Sequence, residues 1–265
     1  MRHDGRANDQ LRPIQITRAF TNTAPGSVLW RQGNTLVLCT AAVANEIPPW
    51  FADDKPGGWL TAEYVMLPAS TPQRKPWPKI GHTDSRGTEI QRIIGRSLRA
   101  VVDLSKIGPI TISIDCQVLQ ADGGTRTASI CAAYIALADA LAGLPATMPL
   151  PKKLPRDMKS PPPRFDSAFY KPAEALVDQL AAVSVGSVDD ELRVDLDYHD
   201  DSRALVDLNV AATANGKFVE VQGSAENGQG FDRQQLDRLL DLAVTGCRQI
   251  MRAQTEALTG TKSSS

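Results

Sequence analysis

The chain is short of net charge, of histidine, of aromatic residues and of long apolar runs. Formal net charge is −1 over 265 residues. No global basic field advertises nucleic acid, so a nucleic-acid binder would have to cluster its basic residues locally. No apolar run approaches the ~20 residues that a membrane-spanning helix requires, and no membrane partner is expected. The opening Met1-Arg2-His3-Asp4-Gly5-Arg6 lacks the apolar core of a signal peptide, which points to a cytoplasmic location. The cysteines are Cys39, Cys116, Cys131 and Cys247, with no Cys-x-x-Cys pair among them. Each lies among apolar neighbours and reads as a reduced, buried core residue. The three histidines, His3, His82 and His199, are too scattered for a zinc site.

What is present is the composition of a globular protein, 42% hydrophobic and 22% charged, and one informative stretch, Asp122-Gly123-Gly124-Thr125-Arg126-Thr127. Before it, Thr111 to Leu119 alternates polar and apolar residues, the pattern of a half-buried strand. After it, Ala128 to Leu137 reads as a helix. A strand, a glycine-rich turn and a helix start make an anion site. The first helical amides lack intrahelical acceptors, and the helix dipole is positive there. Two glycines let an anion approach the backbone. Thr125 adds a hydroxyl and Arg126 a planar fork of donors. This is no Walker A loop, because no Lys follows the glycines at that spacing. The plainer reading is a tight turn with Thr125 or Thr127 as N-cap.

The remaining elements fall on either side of a proline-rich stretch. Ser27–Arg31 and Thr35–Val43 predict two strands joined at Gln32-Gly33-Asn34. Residues Glu89 to Asp103 predict a helix whose apolar face carries Ile90, Ile93, Ile94, Val101 and Val102. From Pro145 to Pro172, with Pro161-Pro162-Pro163 inside, proline predicts an extended connection. Beyond it, Ala181–Val188, Glu191–Tyr198 and Ala204–Ala212 predict strands. Asn215-Gly216 predicts a two-residue hairpin into a return strand, Lys217–Gln222. Asp232, with Gln235 three residues on, predicts the cap of a long final helix. Its apolar face runs from Leu236 to Met251, and the tail ending Ser263-Ser264-Ser265 reads as disordered. The expected fold is α+β, two similar halves of antiparallel strands packed with helices, about 1–144 and 173–259. The connection 145–172 joins them into one domain spanning 1–265.

A second chemical feature lies in Tyr198 to Val210. Asp207 interrupts an apolar strand, where an unpaired carboxylate would be costly. It needs a metal, an Arg or backbone donors. Asp201 lies six positions earlier, on the same face if the strand is continuous. Two carboxylates on one face can hold Mg²⁺. Equally, Asp200-Asp201-Ser202 is a solvated turn and Asp207 forms a structural salt bridge. Arg92, Arg96 and Arg99 are spaced i, i+4, i+7 opposite the apolar face of their helix. That stripe could track RNA phosphates in a channel or be an ordinary solvated face.

The motifs taken together closely resemble the ribonuclease PH family of phosphorolytic exoribonucleases. They are Gly58-Trp59-Leu60-Thr61-Ala62-Glu63-Tyr64, Glu89-Ile90-Gln91-Arg92, Gly95 to Ala100, Val118 to Thr127, Asp201-Ser202, Asp207-Leu208-Asn209-Val210 and Glu220-Val221-Gln222-Gly223. The resemblance runs from about residue 1 to the final helix. It implies a phosphate-dependent 3′-to-5′ exoribonuclease that trims the 3′ ends of tRNA precursors and releases nucleoside 5′-diphosphates. It also implies a homohexameric ring, a trimer of dimers, and dependence on Mg²⁺, with inorganic phosphate as co-substrate. Arg86, Gly124, Thr125 and Arg126 match the family's phosphate-binding residues. Asp201 and Asp207 match its catalytic, metal-associated carboxylates. Arg74, Arg92, Arg96 and Arg99 are the RNA-binding candidates.

The chain also departs from the family. Ala69 stands where an Arg is usual in the loop Leu67–Lys79, and Pro76-Trp77-Pro78 replaces a basic run. Asn34 and Gln117 each replace a common Asp, away from the phosphate loop and the acid pair. The proline-rich connection is longer than usual. A catalytically inert RNA-binding ring subunit is the alternative, but such a subunit would lose the acid pair or the phosphate arginines, and this chain keeps both. A phosphate-binding enzyme acting on small nucleotides is a third reading, supported only by the altered loop.

Overall fold

The computed structural model describes residues 2–51, 55–77, 84–148, 166–225 and 230–260. In the first half, four strands follow in order: β1 (Ile14–Arg18), β2 (Gly26–Gln32), β3 (Thr35–Ala44) and β4 (Trp59–Met66). Then come α1 (Ser85–Arg99), β5 (Thr111–Gln120) and α2 (Thr125–Ala142). The strands form one sheet in the order β1-β2-β3-β5-β4. All neighbours are antiparallel except β4 and β5. The second half holds β6 (Leu180–Val188), β7 (Glu191–Val194), α3 (Tyr198–Asp201), β8 (Val206–Thr213), β9 (Phe218–Ala225) and α4 (Arg233–Thr259). Its sheet, β7-β6-β8-β9, is antiparallel throughout. The α+β class and the strand-rich halves are as expected.

The helix α2 joins the halves. It is apolar nearly all round, from Ala128 to Leu141, and such a helix is buried on every side. It packs on β2 and β3 of one sheet and on β6 of the other. Gln254, buried on α4, clips the layers together. Its Nε2 donates to Cys131 O of α2 at 3.1 Å and to Leu180 O of β6 at 3.1 Å. All four cysteines are buried and free.

Several local expectations are corrected. The first helix begins at Ser85, not Glu89, because the Asp84 carboxylate accepts from Gly87 N at 3.0 Å and caps it. It ends at Arg99, and Val102 instead bridges to Leu176. Helix α2 is capped by neither Thr125 nor Thr127. Its N-cap is Gly124 in the left-handed region, φ +64°. The strand expected over Glu191–Tyr198 stops at Val194, because Asp195 turns to φ +53° and the chain then winds into α3. The last hairpin is not a two-residue turn. Thr213 N donates to Lys217 O, so Ala214 joins Asn215 and Gly216 in the loop. The Gly33-Asn34 hairpin and the Asp232 cap form as expected, Gln235 N donating to Asp232 Oδ1 at 2.7 Å. Most of the proline-rich connection, 149–165, and the tail 261–265 lie outside the described residues. The described end of the connection forms two 3₁₀ turns, Ser167–Phe169 and Pro172–Glu174.

What turns Asp195 out of its strand is Arg12. The Arg12 guanidinium holds both carboxylate oxygens of Asp195, at 3.0 and 2.7 Å, and Arg12 N donates to the same group at 2.7 Å. Both side chains are buried. Burial pushes the Asp195 carboxyl up, and Arg12 more than reverses this, so it titrates below the usual aspartate range. A carboxyl depressed by folding stabilises the fold above its unfolded value of about 3.9 and loses that contribution as pH falls below it. Stability should therefore decline in acid below about pH 4, and less steeply in Asp195→Asn. That variant strands the Arg12 charge and should lose about 3–5 kcal/mol at neutral pH, read as a lower urea midpoint. An unchanged midpoint would contradict the assignment.

Candidate active site

The glycine loop sits where the halves meet. Gly123 and Gly124 take φ +72° and +64°. A Cβ on Gly123 would lie 2.6 Å from Leu196 O and from the Asp197 carbonyl carbon, so only glycine fits against this backbone. The loop is held by its neighbours. Arg12 Nη1 donates to Asp122 O at 2.5 Å, and Thr35 Oγ1 donates to Gly123 O at 2.7 Å. Asn34 Nδ2 donates to Asp122 Oδ2 at 3.2 Å. Asn34 is thus not remote from the loop, as its sequence position suggested: the hairpin folds it onto Asp122. No side chain caps α2, which leaves its first amides for an outside acceptor. Thr127 Oγ1 instead turns back onto Gly124 O at 2.9 Å.

Tyr64 is the site residue that sequence reasoning passed over. Leu60, Ala62 and Tyr64 of β4 point inward, and a buried tyrosine needs a partner for its hydroxyl. It finds Thr125 Oγ1 at 2.9 Å. Burial pushes the Tyr64 hydroxyl up, and the Thr125 hydrogen bond, Arg86 and Arg126 pull it back. The same two arginines act on Asp201. The first turns of α1 and α2 therefore bring Arg86 and Arg126 to one place.

Asp201 and Asp207 also meet there, but not on one strand face. Asp201 ends α3, Asp207 lies in β8, and the turn between them brings the two carboxyls close enough for Asp207 to act on Asp201. Loss of water around Asp201 pushes its carboxyl up, while Arg86, Asp207 and Arg126 pull it down. Asp200 is not part of a solvated turn. It is buried between Arg2 at 2.7 Å and Arg193 at 2.8 Å. Asp197 caps α3 by accepting from Asp200 N at 2.9 Å. Two facing carboxylates, with hard oxygen donors and arginines alongside, suit Mg²⁺.

The arginine stripe is divided. Arg92 is exposed, as is Arg74 in the loop after β4. Arg96 pairs with Glu220 of β9 at 3.1 Å. Arg99 donates to Leu60 O at 3.0 Å and lies over the Trp59 ring at 4.9 Å. The quoted Glu89 and Gln222 motifs touch, Gln222 Nε2 donating to Glu89 Oε1 at 2.5 Å. Ala69 is exposed, while Ser70 O accepts from Ala121 N at 2.8 Å and fixes that loop beside the glycine turn. Pro78 and Lys79 lie outside the described residues. The histidines are less scattered than their spacing suggested. His3 and His199 face each other, with ring centroids 4.2 Å apart, and His82 lies outside the described residues.

Fold and site together define an α+β protein in which an uncapped helix start, two arginines and a pair of aspartates lie together. Residues 10–142 match domain 1 of the 3′ exoribonuclease family, and residues 178–246 match domain 2. The chain belongs to that family. It is 47% identical over 97% of its length to Ribonuclease PH of Corynebacterium kroppenstedtii, spanning 93% of that protein. It is 50% identical over 97% of its length to Ribonuclease PH of Mycobacterium sp. strain KMS, spanning 91% of that protein. Among solved structures, the Archaeoglobus fulgidus exosome with RNA bound to its active site gives a TM-score of 0.71 at 23% identity, over 95% of this chain and 92% of that one. An archaeal exosome core gives 0.68 at 22% identity, over 96% and 91%. At these identities the structural likeness is one of fold.

Tyr64→Phe should leave the fold intact and free Thr125 Oγ1 to wander. One neutral hydrogen bond is worth about 0.5–1.5 kcal/mol, or roughly 2–10-fold in affinity. Calorimetric titration with inorganic phosphate should show weakening of that size. Unaltered phosphate affinity would leave the Tyr64–Thr125 contact a matter of packing alone.

Proposed function

We propose that Arg86, Gly124, Thr125 and Arg126 hold inorganic phosphate, and that Asp201 and Asp207 act on the RNA terminus beside it. The chain is a phosphorolytic 3′-to-5′ exoribonuclease with phosphate as co-substrate, and tRNA precursors are its proposed RNA. The observation that carries the assignment is the meeting of two helix-start arginines with the Asp201–Asp207 pair.

The chemistry follows from the residues. A phosphate oxygen attacks the phosphorus of the terminal phosphodiester. The bond to the upstream 3′-oxygen breaks, a nucleoside 5′-diphosphate leaves, and the 3′-oxygen takes up a proton. The loop amides, the Thr125 hydroxyl and the guanidinium groups hold the phosphate by charge-assisted hydrogen bonds and align it for attack. Arg86 and Arg126 offset charge gathered on the transferring group. Asp207 is assigned the proton that the departing oxygen needs. With both carboxyls ionised, Asp201 and Asp207 would instead hold Mg²⁺, which would stabilise the charge on the departing oxygen directly. No general base is required, since phosphate is already an anionic nucleophile.

Arg74, Arg92, Arg96 and Arg99 are proposed to meet the RNA backbone. Arg96 would have to exchange its Glu220 partner for a phosphate. The two halves are proposed to work as one domain, in a cytoplasmic homohexameric ring built as a trimer of dimers. Among the described residues, no helix is long and apolar enough to cross a membrane.

Short RNA should release nucleoside 5′-diphosphates only when phosphate is present. Monophosphates formed equally well without phosphate would mean hydrolysis and would overturn the reading. Arg126→Ala should weaken phosphate use by about 1.5–3 kcal/mol, the loss of a charged donor, seen as a raised phosphate KM. Asp207→Asn should nearly abolish turnover while phosphate binding persists, and near-normal turnover would return Asp207 to a structural role. Sedimentation at micromolar concentration should give a hexamer; a monomer alone contradicts the ring.

A further inference from the structure

We propose that His3, Asp197 and His199 form a binding site for a divalent transition metal of the Zn²⁺ type, separate from the Asp201–Asp207 pair. Each residue offers one ligand atom, and the three atoms lie within 4.8 Å of one another. His3 Nε2 already stands 2.8 Å from Asp197 Oδ2, across 194 positions of sequence. The two imidazole rings face each other at 4.2 Å between centroids, tilted by 48°.

The donor set chooses the metal. Two imidazoles and one carboxylate suit Zn²⁺, Co²⁺ or Ni²⁺, whereas Mg²⁺ prefers oxygen alone. Three protein ligands also leave a position open for water. Metal bonds of about 2.0–2.2 Å place tetrahedral ligand atoms about 3.3–3.6 Å apart. The His3–Asp197 pair at 2.8 Å must open slightly and the wider separations, up to 4.8 Å, must close, and the members free to move are the His3 and His199 side chains, 41% and 46% accessible. The carboxylate is the fixed member. Asp197 is 5% accessible, and its Oδ1 is held by Asp200 N at 2.9 Å. Such an outer partner orients a ligating carboxylate. Arg6 Nη2 lies 3.4 Å from Oδ2, but the closer partner of Arg6 is Asp4, at 2.5 Å.

The site would staple the N-terminal segment to α3, the four-residue helix that ends in Asp201. An ion bound only by the folded chain stabilises it by mass action, so occupancy at this site would also steady the helix that presents the proposed catalytic acid.

The untagged full-length chain should be titrated with Co²⁺ and with Zn²⁺ in excess Mg²⁺, which saturates oxygen-only sites. One ion per chain is expected, with a Co²⁺ ligand-field spectrum showing nitrogen ligation and a rise in the thermal midpoint. His3→Ala and His199→Ala should each weaken binding at least ten-fold and remove the spectrum, with the circular dichroism of the chain unchanged. Asp201→Asn should bind the ion as the unaltered chain does. Equal binding in both histidine variants overturns the site. So does loss in only one of them, which would mean two independent contacts, or loss in Asp201→Asn alone, which would place the ion at the acid pair.

Discussion

The structure depends on one buried ion pair, Arg12 with Asp195. Arg12 reaches the second half through Asp195 and the glycine loop through Asp122 O. A single guanidinium thus fixes the loop, the hairpin and the start of the acid-bearing segment relative to one another. The hairpin lies so close that a Cβ on Gly33 would come within 2.6 Å of Arg12 Cδ. Such a pair adds little net stability over a well-packed apolar substitute. Its effect is positional, because the planar fork accepts one arrangement of its partners.

Around Arg12 the N-terminal segment repeats the same device. Arg2 donates to Val194 O and Asp195 O and pairs with Asp200, and Arg6 donates to Asp195 O and reaches Asp197. Three buried arginines meet three buried aspartates over the short stretch Asp195–Asp200. The net charge of −1 conceals this local segregation. Asp201, next in sequence, is left facing outward. The cation-rich interior thereby separates the buried, paired aspartates from Asp201, which stands exposed at the end of α3.

Legibility in the sequence followed the range of the forces involved. The strand, glycine loop and helix around Asp122–Thr127 were readable because each signal is local. So were the Gly33-Asn34 turn and the Asp232 cap, whose partners lie within a few residues. The early end of β7 was not, because Asp195 is drawn out of register by Arg12, 183 positions away. The first turn of α1 was missed because its cap, Asp84, precedes the apolar periodicity. Buried Arg2, Arg6 and Arg12 run against the usual exposure of arginine, and no spacing rule links them to the second half. The Asp201–Asp207 pair is legible through motif resemblance, but of the two geometries the spacing leaves open, a shared strand face and a turn at Asp201, the sequence does not choose, and the structure forms the turn. An even spacing has meaning only where the strand is unbroken.

The turn has a physical consequence. Two acids on one strand face would keep a separation set by the pleat. Here one acid stands on the four-residue helix α3 and the other on β8, so their separation is set by how α3 is seated. The seat is made of the Asp197 cap, the Arg2 and Arg193 grip on Asp200, and the His3 contact to Asp197. Two of those four residues, Arg2 and His3, belong to the N-terminal segment, far from the cradle in sequence. The loop side rests on the same support, since Gly123 is pressed against the Leu196–Asp197 backbone. The glycine loop and α3 therefore share one seat, and the N-terminal segment that grips Asp197 and Asp200 bears on both.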